Sequence, residues 1–267
     1  MLAVRVSFVS DVHGNIEALA RAAEQAEQLV VLGDLLDYVD YHDHGNGILG
    51  AIFGSDKVRQ FAAMRVAGDF PALRDYNHRL WASLDDGPAV LAEVVDRRYR
   101  AVYQAVGPEA LLILGNVDVQ SAWEESVGHL LPNRDGQVVE VAGRRFGFVA
   151  GGSSRPGLVP RPSEQAWRPL VRPAVEFQAA LASLGPVDVL CSHIPPDLVA
   201  LRYDRVPGRL EMYGPSLLEA IDEHQPDFAL FGHVHQPLAR RQRRGRTECI
   251  NVGHFQRHPV TFDIEFD

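Results

Sequence analysis

The chain has 267 residues, 46% of them hydrophobic, and a formal net charge of −9. That is enough apolar material for one large domain or two small ones. The negative balance argues against non-specific nucleic-acid binding, which leaves a basic footprint; it does not exclude a phosphate substrate, because bound cations reverse the field of an acidic site. No apolar run approaches the roughly 20 residues of a membrane span. The start of the chain has no basic segment followed by a long apolar one, so a cytoplasmic location without membrane association is expected. Cys191 and Cys249 both lie in apolar runs and read as buried core residues rather than a disulfide or metal ligands.

In chain order, Val4, Val6, Phe8 and Val9 predict a short buried strand. Ser10 to Asn15 reads as a turn, with Asn15 placed to cap an alanine-rich helix over Ile16–Leu29, and Leu29–Leu32 reads as a second strand. Strand, helix and strand within about 30 residues make a βαβ unit, hence an α/β fold with a parallel sheet whose sites form beyond the carboxyl ends of the strands. From Tyr38 to about Gly107 strand signals vanish, and Val58–Ala67, Pro71–Leu84 and Pro88–Val106 read as amphipathic helices. The expectation is a single domain over 1–267 with a helical insertion at about 38–107. Strands are then expected at Leu111–Leu114, Val138–Val141, Arg145–Val149, Val187–Cys191 and Phe228–Phe231, with helices at Pro173–Leu184 and Ser216–Glu223. Gly151–Pro162 reads as a loop. Leu238–Arg241 and Thr247–Val252 read as a hairpin turning at the basic run Arg243–Arg246, and Val260–Phe266 as a final strand.

Several of these strands stop at a residue able to bind metal: Asp11 and His13, Asp34, Asn116, His193, and the pair His233 and His235. Alone, each has an ordinary role as a turn or loop residue. Repetition of the same layout in five segments is hard to obtain by accident. Together they offer carboxylate and amide oxygens and imidazole nitrogens, too many ligands for one four-coordinate zinc. They suit two first-row ions sharing a carboxylate, roughly 3.5–4 Å apart, which clamp the attacking and leaving oxygens of an in-line displacement and acidify a bound water to hydroxide. Without thiolates the set is compatible with Mn, Fe, Co, Ni or Zn.

The blocks Asp11-Val-His13, Gly33-Asp34, Gly115-Asn116, His193 and Gly232-His-Val-His235 resemble those of the calcineurin-like metallophosphoesterases. The resemblance runs from the first strand to the last hairpin, leaving out the helical insertion. It implies a four-layer α/β/β/α sandwich and a dinuclear centre. One ion would take Asp11, His13 and His235, the other Asn116, His193 and His233, and Asp34 would bridge them.

The third block departs from the family's Gly-Asn-His followed by an acid, for here it reads Gly115-Asn116-Val117-Asp118. The missing histidine usually protonates the leaving oxygen or stabilises the transition state, a contribution of about 10²–10⁴-fold for general acid–base catalysis. His254, or His42 and His44 at the start of the insertion, are candidates to replace it. Asn15 and Arg155 are candidates to touch substrate phosphate, guanidinium being well matched to that group. Smaller bacterial phosphodiesterases of the family often lack the same histidine. The expected activity is therefore hydrolysis of a small phosphate ester, a diester ahead of a monoester or phosphoprotein, by hydroxide on two divalent ions. The alternative is a non-catalytic metal-binding scaffold. Nothing in the sequence fixes the oligomeric state.

Overall fold

A βαβ unit opens the chain, as the apolar spacing predicts: β1 (Val4–Val9), α1 (Ile16–Gln25) and β2 (Gln28–Leu32). The two strands run parallel, with Val6 opposite Gln28 and Val9 opposite Val31. The helix stops short of Leu29 because Ala26 is already extended, at φ −82° and ψ 137°, which frees Gln28 to enter the sheet. The computed structural model describes residues 3–157, 167–203 and 213–267.

Four helices follow, α2 (Gly47–Phe53), α3 (Ser55–Val66), α4 (Phe70–Ala82) and α5 (Gly87–Val106). Asp69 and Asp86 cap α4 and α5 by accepting from the backbone N–H of Ala72 at 3.1 Å and Ala89 at 3.0 Å. A proline in each first turn suits these starts, where its missing N–H costs nothing. Helix α2 was not expected from sequence. Its two glycines are poor helix formers, and it persists because Ile48 and Leu49 are fully buried.

The rest of the chain supplies β3 (Leu111–Ile113), α6 (Gln120–Ser126), β4 (Val138–Val141), β5 (Arg144–Val149), β6 (Gly152–Ser153), β7 (Val171–Arg172), α7 (Ala174–Leu184) and β8 (Val189–Ser192). A 3-10 turn at Val199–Leu201, α8 (Leu217–His224), β9 (Phe228–Phe231), β10 (Arg241–Arg244), β11 (Thr247–Asn251) and β12 (Phe262–Phe266) complete it. Helix α6 was also not anticipated. Gly152 and Ser153, expected in a loop, pair with β7, and the part of that loop from 158 onward lies outside the described residues.

The last hairpin corrects the expectation. Its first strand is Arg241–Arg244, so Arg243 and Arg244 lie in a strand and only Gly245 and Arg246 turn. Gly245 sits at φ +60°, the left-handed conformation a two-residue hairpin turn requires. Two acids hold the basic strand: Arg243 Nε is 2.6 Å from Glu248, and Arg244 is bidentate to Asp222 at 2.6 Å.

The strands form one sheet in the order β12-β1-β2-β3 and a second in the order β10-β11-β9-β8-β5-β4. Between them lies a core of Val6, Phe8, Val30 and Leu32 against Phe146, Phe148, Cys191 and Leu230. The Phe8 and Phe146 rings stack with centroids 6.3 Å apart. Burying a ring of that kind contributes about 1.5–3 kcal/mol. Leu19, Leu91, Tyr99 and Trp123, from α1, α5 and α6, cover the outer face of the first sheet. Phe177, Leu181 and Ile221, from α7 and α8, cover the second. The result is an α/β/β/α sandwich, whose inner strands are buried on both faces and therefore read as near-continuous apolar runs.

The long helical stretch divides physically. Helix α5 belongs to the layer over the first sheet, whereas Val39, Leu49, Val58 and Phe61 form a satellite cluster of their own. No helix among the described residues is long and apolar enough to cross a membrane. Cys191 and Cys249 are both free and buried.

Candidate metal centre

The carboxyl ends of β1, β2, β3, β8 and β9 meet along one edge of the sandwich, and strained turns leave them there. Asp11, His13, Asp34 and His233 occupy left-handed backbone at φ 56°, 43°, 50° and 65°. Non-glycine residues avoid this region at a cost of order 1 kcal/mol or more, and such outliers concentrate at functional sites. Backbone bonds between turns hold the strain: Asp11 N–H donates to Gly33 O at 3.0 Å and His13 N–H to Asp34 O at 2.8 Å. Glycines permit the approach. A Cβ on Gly115 would collide with the Asp34 carboxylate, and one on Gly232 with Ser10 and Asp11.

The side chains then fall into two sets. In one, His235 Nε2 is 3.2 Å from both Asp11 Oδ1 and His13 Nε2. In the other, Asn116 Oδ1 is 2.8 Å from His193 Nε2 and 2.7 Å from His233 Nδ1. Asp34 stands between them, with Oδ1 3.2 Å from His193 Nε2 and Oδ2 3.9 Å from His13 Nε2.

Protonation logic shows that this set fits cations. His13 Nδ1 lies 2.9 Å from Leu36 O and His193 Nδ1 lies 2.7 Å from Leu32 O. A carbonyl only accepts, so both imidazoles donate from Nδ1 and a neutral ring turns a bare Nε2 lone pair inward. There it meets oxygens that also carry lone pairs. Burial lowers the His193 pKa, but the charge and hydrogen bond of Asp34 outweigh it and lift the ring to about 9. Burial would raise Asp11 and Asp34; the facing imidazoles, His235 and His193 respectively, instead hold both carboxyls below their ordinary value. Burial, with His193 beside it, pushes His233 down to about 4. Groups that compete for protons in this way are groups that divalent ions satisfy.

A further layer fixes these side chains. Asp118, fully buried, accepts from the backbone N–H of Gly115 at 2.7 Å, Leu35 at 3.0 Å and Leu36 at 3.1 Å, tying the Asp34 turn to the Asn116 turn. Burial and the Asp34 charge raise its carboxyl to about 7. Asn251 donates to the carbonyls of Gly232 at 3.2 Å and Val234 at 2.9 Å, bracing the histidine turn. Sequence reading gave neither a role. For Asp118 the signal was an acid two residues after Asn116; for Asn251 it was an asparagine ending a strand.

The centre opens into a cleft of about 410 Å³. Its walls include His13, Asp34, Asn116, Val117, His233 and His235, and also Tyr41, Phe61 and Arg65 from the helical stretch.

Residues 4–237 match the calcineurin-like phosphoesterases. The chain belongs to that family. Its members are metal-dependent phosphoesterases, and the dinuclear centre typical of them is consistent with the clustered Asp and His groups here. The phosphoesterase is similar to the crystal structure of TT1561 of Thermus thermophilus, at 12% identity and a TM-score of 0.54 over 98% of each chain, which shows a shared fold. It is less similar to a structure named as a putative 5′-nucleotidase from Staphylococcus aureus, at 13% identity and a TM-score of 0.45, covering 99% of this chain and 51% of the other. Yellow lupin purple acid phosphatase PPD1 gives 13% identity and a TM-score of 0.42, covering 94% of this chain and 44% of the other. The last two likenesses are too weak to bear on function. No curated protein matches the phosphoesterase in sequence.

The remaining candidates of the phosphoesterase are dispersed. Val117 lines the cleft with an aliphatic side chain, while its backbone N–H donates to Asp34 Oδ1 at 3.0 Å. His254 stacks on His235 with centroids 3.8 Å apart. Burial, with His235 adjacent, pushes it down to about 3, and it lines the cleft. His42 lines the cleft; His44 and Arg155 do not. Asn15 caps α1 by accepting from Ala18 N–H at 3.3 Å, donates to Gln256 O at 3.1 Å, and lines an adjoining cleft rather than the main one.

Proposed function

We propose that the protein is a phosphodiesterase that holds two divalent ions, one on Asp11, His13 and His235, the other on Asn116, His193 and His233, with Asp34 shared. The observation that carries this reading is the position of Asp34, whose two carboxylate oxygens face the two ligand sets. Divalent ions in such a site acidify water and polarise phosphoryl oxygens. The chain's own part is to hold the ligands rigidly and to orient the ester within the cleft.

Two features favour a diester. Val117 offers no proton to a leaving oxygen. The cleft also carries Asp37 and Asp40 beside the ligands and, among the described residues, Arg65 as its one arginine, so a singly charged diester meets less repulsion there than a doubly charged monoester. The native metal is among Mn, Fe, Co, Ni and Zn, and the substrate is a small ester. Val117 also favours a second reading, a metal-binding scaffold without turnover.

The test is a panel of diesters and monoesters assayed with each metal after chelation. Diester hydrolysis that collapses in Asn116→Ala and His233→Ala supports the enzyme. Tight binding of two ions with no turnover on any ester moves the assignment to the scaffold, and faster monoester than diester turnover overturns the diester preference.

A further inference from the structure

The cleft has a wall that the metal ligands do not explain. Tyr41 lies in the loop that leaves the Asp34 turn, and Arg65 in the last turn of α3. The Arg65 guanidinium sits 5.1 Å from the centroid of the Tyr41 ring. Among the described residues Arg65 has no carboxylate partner, although its charge is well placed at a helix C-terminus. Tyr41 is 40% exposed, while Phe61 and Val39 are buried and give the same cleft an apolar lining.

The loop that presents Tyr41 is built rather than slack. Buried Asp40 accepts from the N–H of His42 at 2.7 Å and of Asp43 at 2.9 Å. Ile48 and Leu49 N–H donate to the carbonyls of Asp37 at 2.8 Å and Tyr38 at 3.0 Å. Gly47, at φ +60°, lets the Asp40 backbone come close where a Cβ would clash. The chain therefore holds a partly exposed aromatic ring, with a cation against it, in the same cleft as the proposed metal ligands.

We infer that Tyr41 and Arg65 form the subsite for the organic group of the ester, and that this subsite selects a planar aromatic group, aryl or nucleobase-bearing, over an aliphatic one. This rests on the reading of the centre as a phosphoester site. Tyr41 offers a partly exposed ring in a cleft with an apolar lining, and an aromatic group stacks on that ring. Arg65 positions that ring and adds a cation–π contact to the stack. Preferences of this kind are typically worth several-fold to about tenfold in affinity. A cleft of about 410 Å³ lies within the usual size range of small-molecule sites.

The test compares phenylphosphonate with methylphosphonate, neither of which is hydrolysed, by calorimetry on the metal-loaded protein. The expected result is binding of both, with phenylphosphonate about tenfold tighter. Tyr41→Ala should bring the two within twofold of each other, chiefly by weakening phenylphosphonate, at unchanged metal content. Tyr41→Phe should keep the preference, and Arg65→Ala should shrink it. Equal affinity in the wild type, or a preference that survives Tyr41→Ala, overturns the subsite and leaves the phosphoester reading standing. If neither phosphonate binds the loaded protein, the subsite fails, and diester hydrolysis in the ester panel decides separately whether the phosphoester reading stands.

Discussion

The seam where the sheets meet and the helical stretch that overhangs it obey different rules. At the seam, candidate ligands from strands far apart in sequence sit on strained backbone, glycines allow contacts no Cβ would permit, and Asp118 serves two turns at once. In the overhang, α4 and α5 are capped locally by Asp69 and Asp86, and a small cluster of side chains holds the rest. The seam should fail as a unit. The overhang should lose parts of its stability without disturbing the centre. The difference separates the proposed metal site from a wall that lines the same cleft.

The largest effect should come from Asp34, the proposed shared ligand. Asp34→Ala should lower kcat/KM by more than the 10–100-fold typical of outer-layer changes, and should leave fewer than two ions per chain by elemental analysis. Full metal content in this variant would remove the basis for pairing the two ligand sets. Next comes a substitution that touches no ligand. Gly115→Ala should push the Asp34 carboxylate out of place and cost roughly 10–100-fold in metal affinity or activity, measured by metal titration. Metal binding as tight as wild type would show that the seam can relax and the contrast is overdrawn.

Two further changes act on stability rather than on metal affinity. Asp118→Ala leaves the buried N–H groups of Gly115, Leu35 and Leu36 without their acceptor, at about 1–3 kcal/mol each, and urea denaturation should show a loss of at least about 3 kcal/mol. Asp118→Asn keeps one acceptor and should lose less. Asp69→Ala, in the overhang, should cost only about 1 kcal/mol through its helix cap and leave metal content unchanged. If Asp69→Ala depleted the metal as strongly as Gly115→Ala, the two regions would be coupled and the comparison would break.

Much of this was legible in the chain. The βαβ start, the strand ends and the ligand-type residues follow from local spacing, because apolar periodicity and turn chemistry act over a few residues. Helix α2 was hidden because its glycines oppose a helix and only burial of Ile48 and Leu49 supports it. The last hairpin was misplaced because ion pairs, Arg244 to Asp222 among them, extend a basic strand that sequence alone reads as a turn. The neighbourhood of His254 was hidden because nothing near it in sequence announces His235 stacked on its ring.

Composition and local pattern thus determined which side chains were available and which strands delivered them. Tertiary structure alone decided that Asp34 faces two clusters of candidate ligands, that Asp118 ties two turns together, and that Tyr41 and Arg65 share their cleft. Those are distances between segments far apart in the chain. Packing of the two sheets sets them, and no property of any single segment contains them.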